Sequence, residues 1–416
     1  MNTLKQHDII VIGAGIIGVS AALALQASGL SVLVLDRTGV AAEASQGNAG
    51  AFAFTDIVPL ATPGIMRRAP KWLLDPMGPL SVPPSYALKI APWMLRLWRA
   101  SWQDRYEASL AAQAQLMKLS QAALERQIKL VDGEDLMQRE GQLQLYEGKR
   151  EYKASLPGWK LRGQHGVEFA LLDGPDAIAE IQPGIDPRFT HACFTPKWMN
   201  TCDPMQWTEH LARVFVERGG KIDIEDVRSL SQEQGQVLLT TARGVRHAKQ
   251  VVVATGAWSH HLAKTLGDKV PLETERGYNT TLPVGAFDLK THLTFGGHGF
   301  VVSKIAGGVR VGGAVELGGL KLAPNYKRSE VLLRKAAQFL PKLKTESGQQ
   351  WMGFRPSMPD SLPVISSTRN APNVIYAFGH GHLGLTQSAG TAELVTSLVN
   401  GTEAATSLGA FSVDRF

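Results

Sequence analysis

Apolar and polar positions first fall into a recognisable order between His7 and Arg37. Ile9 to Ile12 form a short β-branched apolar run, an Ala-rich stretch with helical spacing continues to Gly29, and a second apolar run from Val32 to Leu35 ends at Asp36. Short apolar runs bounded by glycine read as buried strands, and the periodic segment between them as a helix. From Gly141 the period shortens: GQLQLY alternates as a strand should, 147–160 has helical spacing, and 189–196 reads as another strand. Asp203-Pro204 opens a helix that runs to Gly219-Gly220, with aspartate as cap and proline at the first position. Residues 221–227, 237–241 and 247–258 read as strands, the last ending in the small-residue turn Ala254-Thr255-Gly256. Several short alternating segments fill 270–315, the clearest being the hairpin over 300–316, and Arg328 to Leu340 is an amphipathic helix stopped by Pro341. The strand NVIYAFG then leads through the glycine-rich turn GHGHLG into a helix ending near Gly401.

A strand, glycine-rich turn and helix thus stand at both ends of the chain, with antiparallel material between them. The predicted class is mixed α/β: a Rossmann-like domain built from both chain ends, carrying an inserted antiparallel-sheet domain.

The first turn carries specific chemistry. Gly13, Gly15 and Gly18 form G-x-G-x-x-G: the first allows the tight turn, the second a close backbone approach to a pyrophosphate, the third helix packing on the sheet. Ile16 and Ile17 open the helix, whose N-terminus faces the phosphates with partial positive charge. Asp36 lies where a carboxylate meets a ribose 2′-hydroxyl, which favours FAD or NAD over NADP. Small residues dominate Thr38 to Phe52, as expected where something flat lies against backbone. Lys5 ahead of an apolar stretch suggests a secretory signal, but three glycines inside that stretch and the acid-ended strand after it argue against one.

Composition narrows the classes. The 416 residues suffice for two domains, and with 44% hydrophobic and 19% charged residues they match an ordinary globular protein. No apolar run reaches the ~18 residues needed to span a bilayer. The net charge of +6 is dispersed, which excludes the basic stripe of a nucleic-acid binder, yet suits rest on an anionic membrane face. Cys193 and Cys202 lack C-x-x-C spacing, consistent with a reducing, cytoplasmic setting. Prolines at 59, 63, 70, 76, 79, 83, 84 and 92 alternate with Trp72, Trp93, Trp98 and Trp102. The tail of that segment predicts an amphipathic helix starting after Pro92, with helix continuing over 104–130; its Trp/Arg content can mark a peripheral membrane or partner contact, the alternative being a helix that packs into a domain.

Taken together, Gly13 to Gly18, Asp36, Ser45-Gln46-Gly47-Asn48-Ala49-Gly50, Ala254-Thr255-Gly256, Arg355-Pro356, Asp360, Pro363 and Gly379 to Gly384 resemble the D-amino acid oxidase and dehydrogenase superfamily over nearly the whole chain. The chain is most similar to the bacterial D-amino acid dehydrogenases of the small-subunit type. That resemblance implies FAD, held non-covalently because Asn48 stands where some relatives carry a histidine that bonds the flavin. Asp360-Ser361 replaces the family's usual Asp-Gly, altering only the turn. The implied domain order is FAD-binding over 1–135, substrate over 136–200, FAD-binding over 201–265, substrate over 266–352 and FAD-binding over 353–416.

The resemblance also assigns residues. Gly13, Gly15, Ile16, Ile17, Gly18, Asp36 and Arg37 would hold the dinucleotide, with Val227 at a strand end meeting adenine and Ala254 and Gly256 lining the diphosphate. Ser45, Asn48, Ala49 and Gly50 would lie against the isoalloxazine, and Gly381, His382, Leu383, Gly384 and Thr386 would approach its pyrimidine end. Arg355 would pair with a substrate carboxylate beside the flavin, and the Tyr278 hydroxyl would close over the substrate. His380 and His382 lack a third ligand nearby, so no metal is expected. The implied reaction is oxidative deamination of a D-amino acid by hydride transfer from Cα to flavin N5, giving the imino and then the 2-oxo acid. Electrons would pass to a quinone or an electron-transfer carrier, at the cytoplasmic face of the inner membrane. The alternatives are a secondary-amine enzyme for sarcosine-, proline- or hydroxyproline-like substrates, an FAD-binding subunit of a heteromeric dehydrogenase, and a nicotinamide-dependent dehydrogenase.

Overall fold

A computed structural model describes residues 7–65 and 80–416. Lys5, Pro70, Trp72, Pro76 and Pro79 lie outside the described residues. A six-stranded sheet has the order Lys221–Ile224, Val32–Asp36, Ile9–Ile12, Gln250–Val253, Val374–Phe378, Val364–Ser367. The first five strands are parallel and the last is antiparallel to its neighbour. Parallel strands are covered on both faces, which is why their sequences are continuous apolar runs. Ile9, Val11, Val34 and Val252 face a core shared with helices Ile16–Ala27, Gln103–Leu130, Pro204–Glu217 and Gly384–Asn400. Ile10, Ile12, Leu33, Leu35, Val251 and Val253 face the other way, under helix Ser259–Thr265 and a small antiparallel sheet of Val227–Glu233, Gln236–Thr241 and Gly244–Ala248.

The parallel register aligns Ile12 with Leu35 and with Val253. The turn at Gly13, the acid at Asp36 and the turn at Ala254 therefore meet at one edge, the position where open α/β sheets bind ligands. The Gly13 N–H donates to the Leu35 carbonyl and the Ala254 N–H to the Ile12 carbonyl, both at 2.8 Å.

A nine-stranded sheet runs Gln349–Ser357, Glu273–Leu282, Gly308–Leu317, Phe300–Ile305, His292–Phe295, Gln142–Glu147, Phe189–Thr195, Ala170–Asp173, with Leu80–Ser81 beside Gly308–Leu317. Helix Lys327–Phe339 covers one face through Leu332, Ala336 and Phe339. The other face looks toward the six-stranded sheet's glycine turns.

Four expectations change. The helix expected after Pro92 is Ala87–Ala100, with Pro92 inside it. Ile90, Trp93 and Leu97 anchor its buried side, and the carbonyl that Pro92 leaves without a donor belongs to Leu88, which is 91% exposed and open to water. Residues 221–227 are not one strand, because Glu225 turns inward to accept hydrogen bonds from Thr241 and Arg246. Val227 consequently begins a strand of the small sheet instead of ending one. Residues 247–258 break at Lys249 into two strands belonging to different sheets. Position 353, where the chain was expected to return to the dinucleotide domain, falls inside Gln349–Ser357, which pairs with Glu273–Leu282 from Gln349 to Ser357.

Candidate active site

One cavity of about 950 Å³ extends from the ends of the parallel strands to the front face of the nine-stranded sheet. At its first end Gly13 has φ +108°, and a Cβ there would sit 2.4 Å from the Ala254 carbonyl oxygen. Gly18 does not border the cavity; a Cβ on it would fall 1.9 Å from the Gly13 oxygen, so it lets the helix close on the turn. Gly15, Ile16 and Ile17 do border it. The helix they open has no acidic side chain in its first turn and no cap from Gly15, and the Ile16 N–H donates to Ser45 Oγ at 2.9 Å. Its other first-turn N–H groups and its dipole make an anion cradle. Asp36 accepts from the Ala14 N–H at 2.8 Å through Oδ2, and from the Thr38 and Gly39 N–H groups through Oδ1, so it stiffens the turn while bordering the cavity. Arg37 stacks on the Trp258 ring at 3.8 Å and pairs with Glu43. Val227, Ala254 and Gly256 line the same end.

Ser45, Asn48 and Ala49 line the middle. Their loop is fastened to the nine-stranded sheet from three sides: Asn279 Nδ2 donates to the Gly47 carbonyl at 2.7 Å, Arg310 Nη1 donates to the Asn48 carbonyl at 2.5 Å, and Trp351 covers Gly47, where a Cβ would lie 2.4 Å from the ring. Gly50 stands off the cavity. With φ +69° it turns the chain, its N–H donating to Asn48 Oδ1 and its carbonyl accepting from the Thr201 N–H.

Arg355 lies at the far end. It reaches from its strand across Gly277, where a Cβ would be 2.3 Å from Nη2, and donates through Nη1 to the Ala314 carbonyl at 3.1 Å. Burial pulls the guanidinium below its usual range, and the neighbouring Glu275 carboxylate opposes that pull. No carboxylate pairs with it directly among the described residues. Gly381, His382 and Gly384 border this region. The His382 ring is open to the cavity but enclosed by protein elsewhere; burial lowers its pKa against the opposing fields of Asp56 and Glu275. His380 instead bonds Thr391 Oγ1 at 2.9 Å, and burial drives it to about 3. Leu383 packs in the core and Thr386 accepts from the Ala53 N–H at 3.0 Å, so neither lines the cavity. Among the described residues no group of three His, Cys, Asp or Glu side chains gathers as a metal site.

Tyr278 borders the cavity too, with its hydroxyl already engaged by protein. Its hydroxyl donates to Glu316 Oε2 at 2.7 Å and accepts from the Asn325 N–H at 3.1 Å, within a network that includes Arg276. Strand alternation turns the Tyr278 side chain away from the side that Gly277 opens, so its hydroxyl is committed to this network. The same alternation groups Glu275 and Asn279 with Gly277, and all three border the cavity. Asp56, Arg310, Trp258 and Trp351 also border the cavity, as do Gln142, Gln144, Trp198 and His292 on the far wall. His292 meets Asn200 Nδ2 at 3.2 Å, and burial lowers it to about 3.

A family model described as FAD dependent oxidoreductase matches residues 8–398. The chain belongs to this family. A D-amino-acid oxidase of Bradyrhizobium diazoefficiens is 32% identical over 418 residues, covering 99% of both chains. A D-amino acid dehydrogenase of Rhizobium rhizogenes is 30% identical, covering 98% of this chain and 99% of its own. The fold is shared with glycine oxidase from Geobacillus kaustophilus, at TM-score 0.78 and 19% identity over 99% of each chain. L-proline dehydrogenase from P. horikoshii also shares it, at TM-score 0.75 and 20% identity over 99% of this chain and 98% of that one. The protein is thus an FAD-dependent oxidoreductase, and the cavity suits that cofactor. An elongated space joins a helix N-terminus without a charged cap, a carboxylate beside the ribose position, and a loop of small residues long enough to flank a flat ring.

Proposed function

We propose that this oxidoreductase deaminates a D-amino acid oxidatively and passes the electrons to a quinone or comparable respiratory carrier. The observation that carries this is Arg355: an arginine without a carboxylate partner among the described residues, aimed into the cofactor cavity, in a groove that only a glycine at 277 leaves open. A guanidinium so placed takes a planar carboxylate bidentately. The D-configuration is supported by the relatives named D-amino-acid oxidase and D-amino acid dehydrogenase.

In this scheme the cradle at Gly13, Gly15, Ile16 and Ile17 holds the pyrophosphate, Asp36 and Arg37 the ribose side, and Val227 the adenine through its backbone. Ser45, Asn48 and Ala49 flank the ring, and His382 and Gly384 its far end. Asn48 offers no nucleophile for a covalent link. Bound FAD supplies a two-electron acceptor. The chain's own task is placement: Arg355 would fix the carboxylate, and the ties from Asn279 and Arg310 to the Gly47 and Asn48 carbonyls would hold the loop that flanks the ring. The substrate loses its Cα hydrogen with two electrons and one amine proton, and water converts the released imine to the 2-oxo acid and ammonia. We assign the six-stranded sheet to an FAD domain and the nine-stranded sheet to a substrate domain, with the final crossing between Ser357 and Val364.

Helix Ala87–Ala100 and its continuation expose Leu88, Leu95, Trp98 and Trp102, 63% of Leu95 being open to solvent, with Lys89 and Arg96 alongside. No helix among the described residues is long and apolar enough to cross a membrane. We assign this stripe to peripheral contact with the cytoplasmic face of the inner membrane, where a quinone is reached.

Anaerobic mixing of the holoenzyme with paired D- and L-amino acids tests the function. Bleaching of the flavin by D-forms, with recovery faster on quinone than on air, is the expected result; Arg355→Met should abolish saturation by substrate. Bleaching only by sarcosine or L-proline would overturn the D-amino acid assignment.

A further inference from the structure

Glu275 is a charged group of the cavity, beside Arg355 in the strand register, that the function above leaves without a task. Its carboxylate is 4% exposed, borders the cavity, and has neither hydrogen bond nor ion pair among the described residues. A carboxylate so placed is costly unless a cation or donors meet it. Arg355, directly opposite in the strand register, does not do so: its guanidinium leans across Gly277 toward the Ala314 carbonyl. Directly paired cross-strand residues have Cβ atoms about 5 Å apart on the same face. The cavity therefore presents a cation and an anion side by side, each open on the same side. An α-amino acid carries a carboxylate and an ammonium on one carbon, the two charges complementary to this pair.

We propose that Glu275 receives the ammonium of the substrate, so that Arg355 and Glu275 together read the α-amino acid as a zwitterion. This deepens the function proposed above and rests on it. The substrate class is narrowed to α-amino acids with a cationic primary or secondary amine. Plain carboxylates and 2-hydroxy acids, which would set two negative groups against each other or leave Glu275 unpaired, are disfavoured. Glu275 acts on binding, and Asp56 and His382 border the same recess without contacting it through any hydrogen bond.

The test uses holoenzyme and two kinds of probe. D-alanine and D-proline report through the concentration dependence of anaerobic flavin reduction; propionate and cyclopentanecarboxylate, the same skeletons without the amine, report through the shift of the oxidised flavin spectrum. In Glu275→Gln, affinity for the amino acids should fall about 10-fold or more, as on losing one charged hydrogen bond, while affinity for the amine-free acids should rise. Glu275→Asp, which keeps the charge, should restore the preference for amino acids. Loss of both affinities together, or no change in either, would overturn the inference. A wild-type protein that binds the amine-free acids but is reduced by neither amino acid would overturn the proposed function, and this inference with it.

Discussion

Gly277→Ala removes Arg355 from its place without removing Arg355. A Cβ at 277 would lie 2.3 Å from Nη2 and 2.5 Å from Cζ, so the guanidinium must leave the groove. The obstacle is the end of a flexible side chain, and Gly277 is in an ordinary strand conformation paired with Gly353, so the backbone accepts alanine. Alanine also narrows the unfolded ensemble, and the net change in stability should stay within about 1 kcal/mol. The ligand loses an aimed, charge-assisted hydrogen bond of about 1.5–3 kcal/mol, equivalent to roughly 10- to 150-fold in affinity. The assay is the dissociation constant of a carboxylate ligand from the flavin spectrum, read beside the melting temperature. Combined with Arg355→Met, the loss should not add, because both substitutions remove one contact. Unchanged carboxylate affinity at intact stability would refute the placement of Arg355 in the substrate site.

Two further outcomes follow from particular contacts. His380 has its folded pKa depressed to about 3 from an ordinary 6.5, so its stabilising contribution is complete above 6.5 and is lost as pH falls, because only the unfolded chain takes up the proton. At about pH 5 that loss is roughly 2 kcal/mol for one such residue; His380→Gln should flatten the stability difference between neutral pH and about pH 5 by a similar amount in urea titrations, and parallel curves for the two proteins would contradict it. Leu95→Glu with Trp98→Glu should abolish co-sedimentation with anionic vesicles and slow quinone reduction while leaving anaerobic flavin bleaching intact; unaltered sedimentation would remove the membrane role from this helix.

The first fifty residues were legible because their signals are local. Gly13, Gly18 and Asp36 each have a role set within a few residues or by an adjacent strand, and the structure puts them at one sheet edge. Errors arose where a distant contact decided. KIDIEDV reads as one strand, yet Glu225 leaves it to bind Thr241 and Arg246, and Val227 changes sheets. Pro92 reads as a helix boundary, but packing of Ile90 and Trp93 on either side of it carries the helix through. The resemblance implies that the Tyr278 hydroxyl closes over the substrate, yet that hydroxyl is held by Glu316 and by Asn325, far along the chain. Which face looks into the cavity was not legible, since it depends on the register of Glu273–Leu282 with Gln349–Ser357, some seventy residues later in the chain.

That register also explains where substrate choice can vary. Along one face of Glu273–Leu282 come Glu275, Gly277 and Asn279, and the paired neighbour of Thr281 is Arg310. On the proposed function, the first two positions would orient the substrate's head group, directly or by housing Arg355; Asn279 and Arg310 tie down the loop at Gly47 and Asn48. One strand therefore sets both partners of the reaction, and a shift of the strand displaces them together. On the proposed function, side-chain selectivity would fall to Gln142, Gln144, Trp198 and His292, which border the same cavity but hold no part of the loop. A change there would resize the pocket and leave Glu275, Gly277 and Arg355 in place.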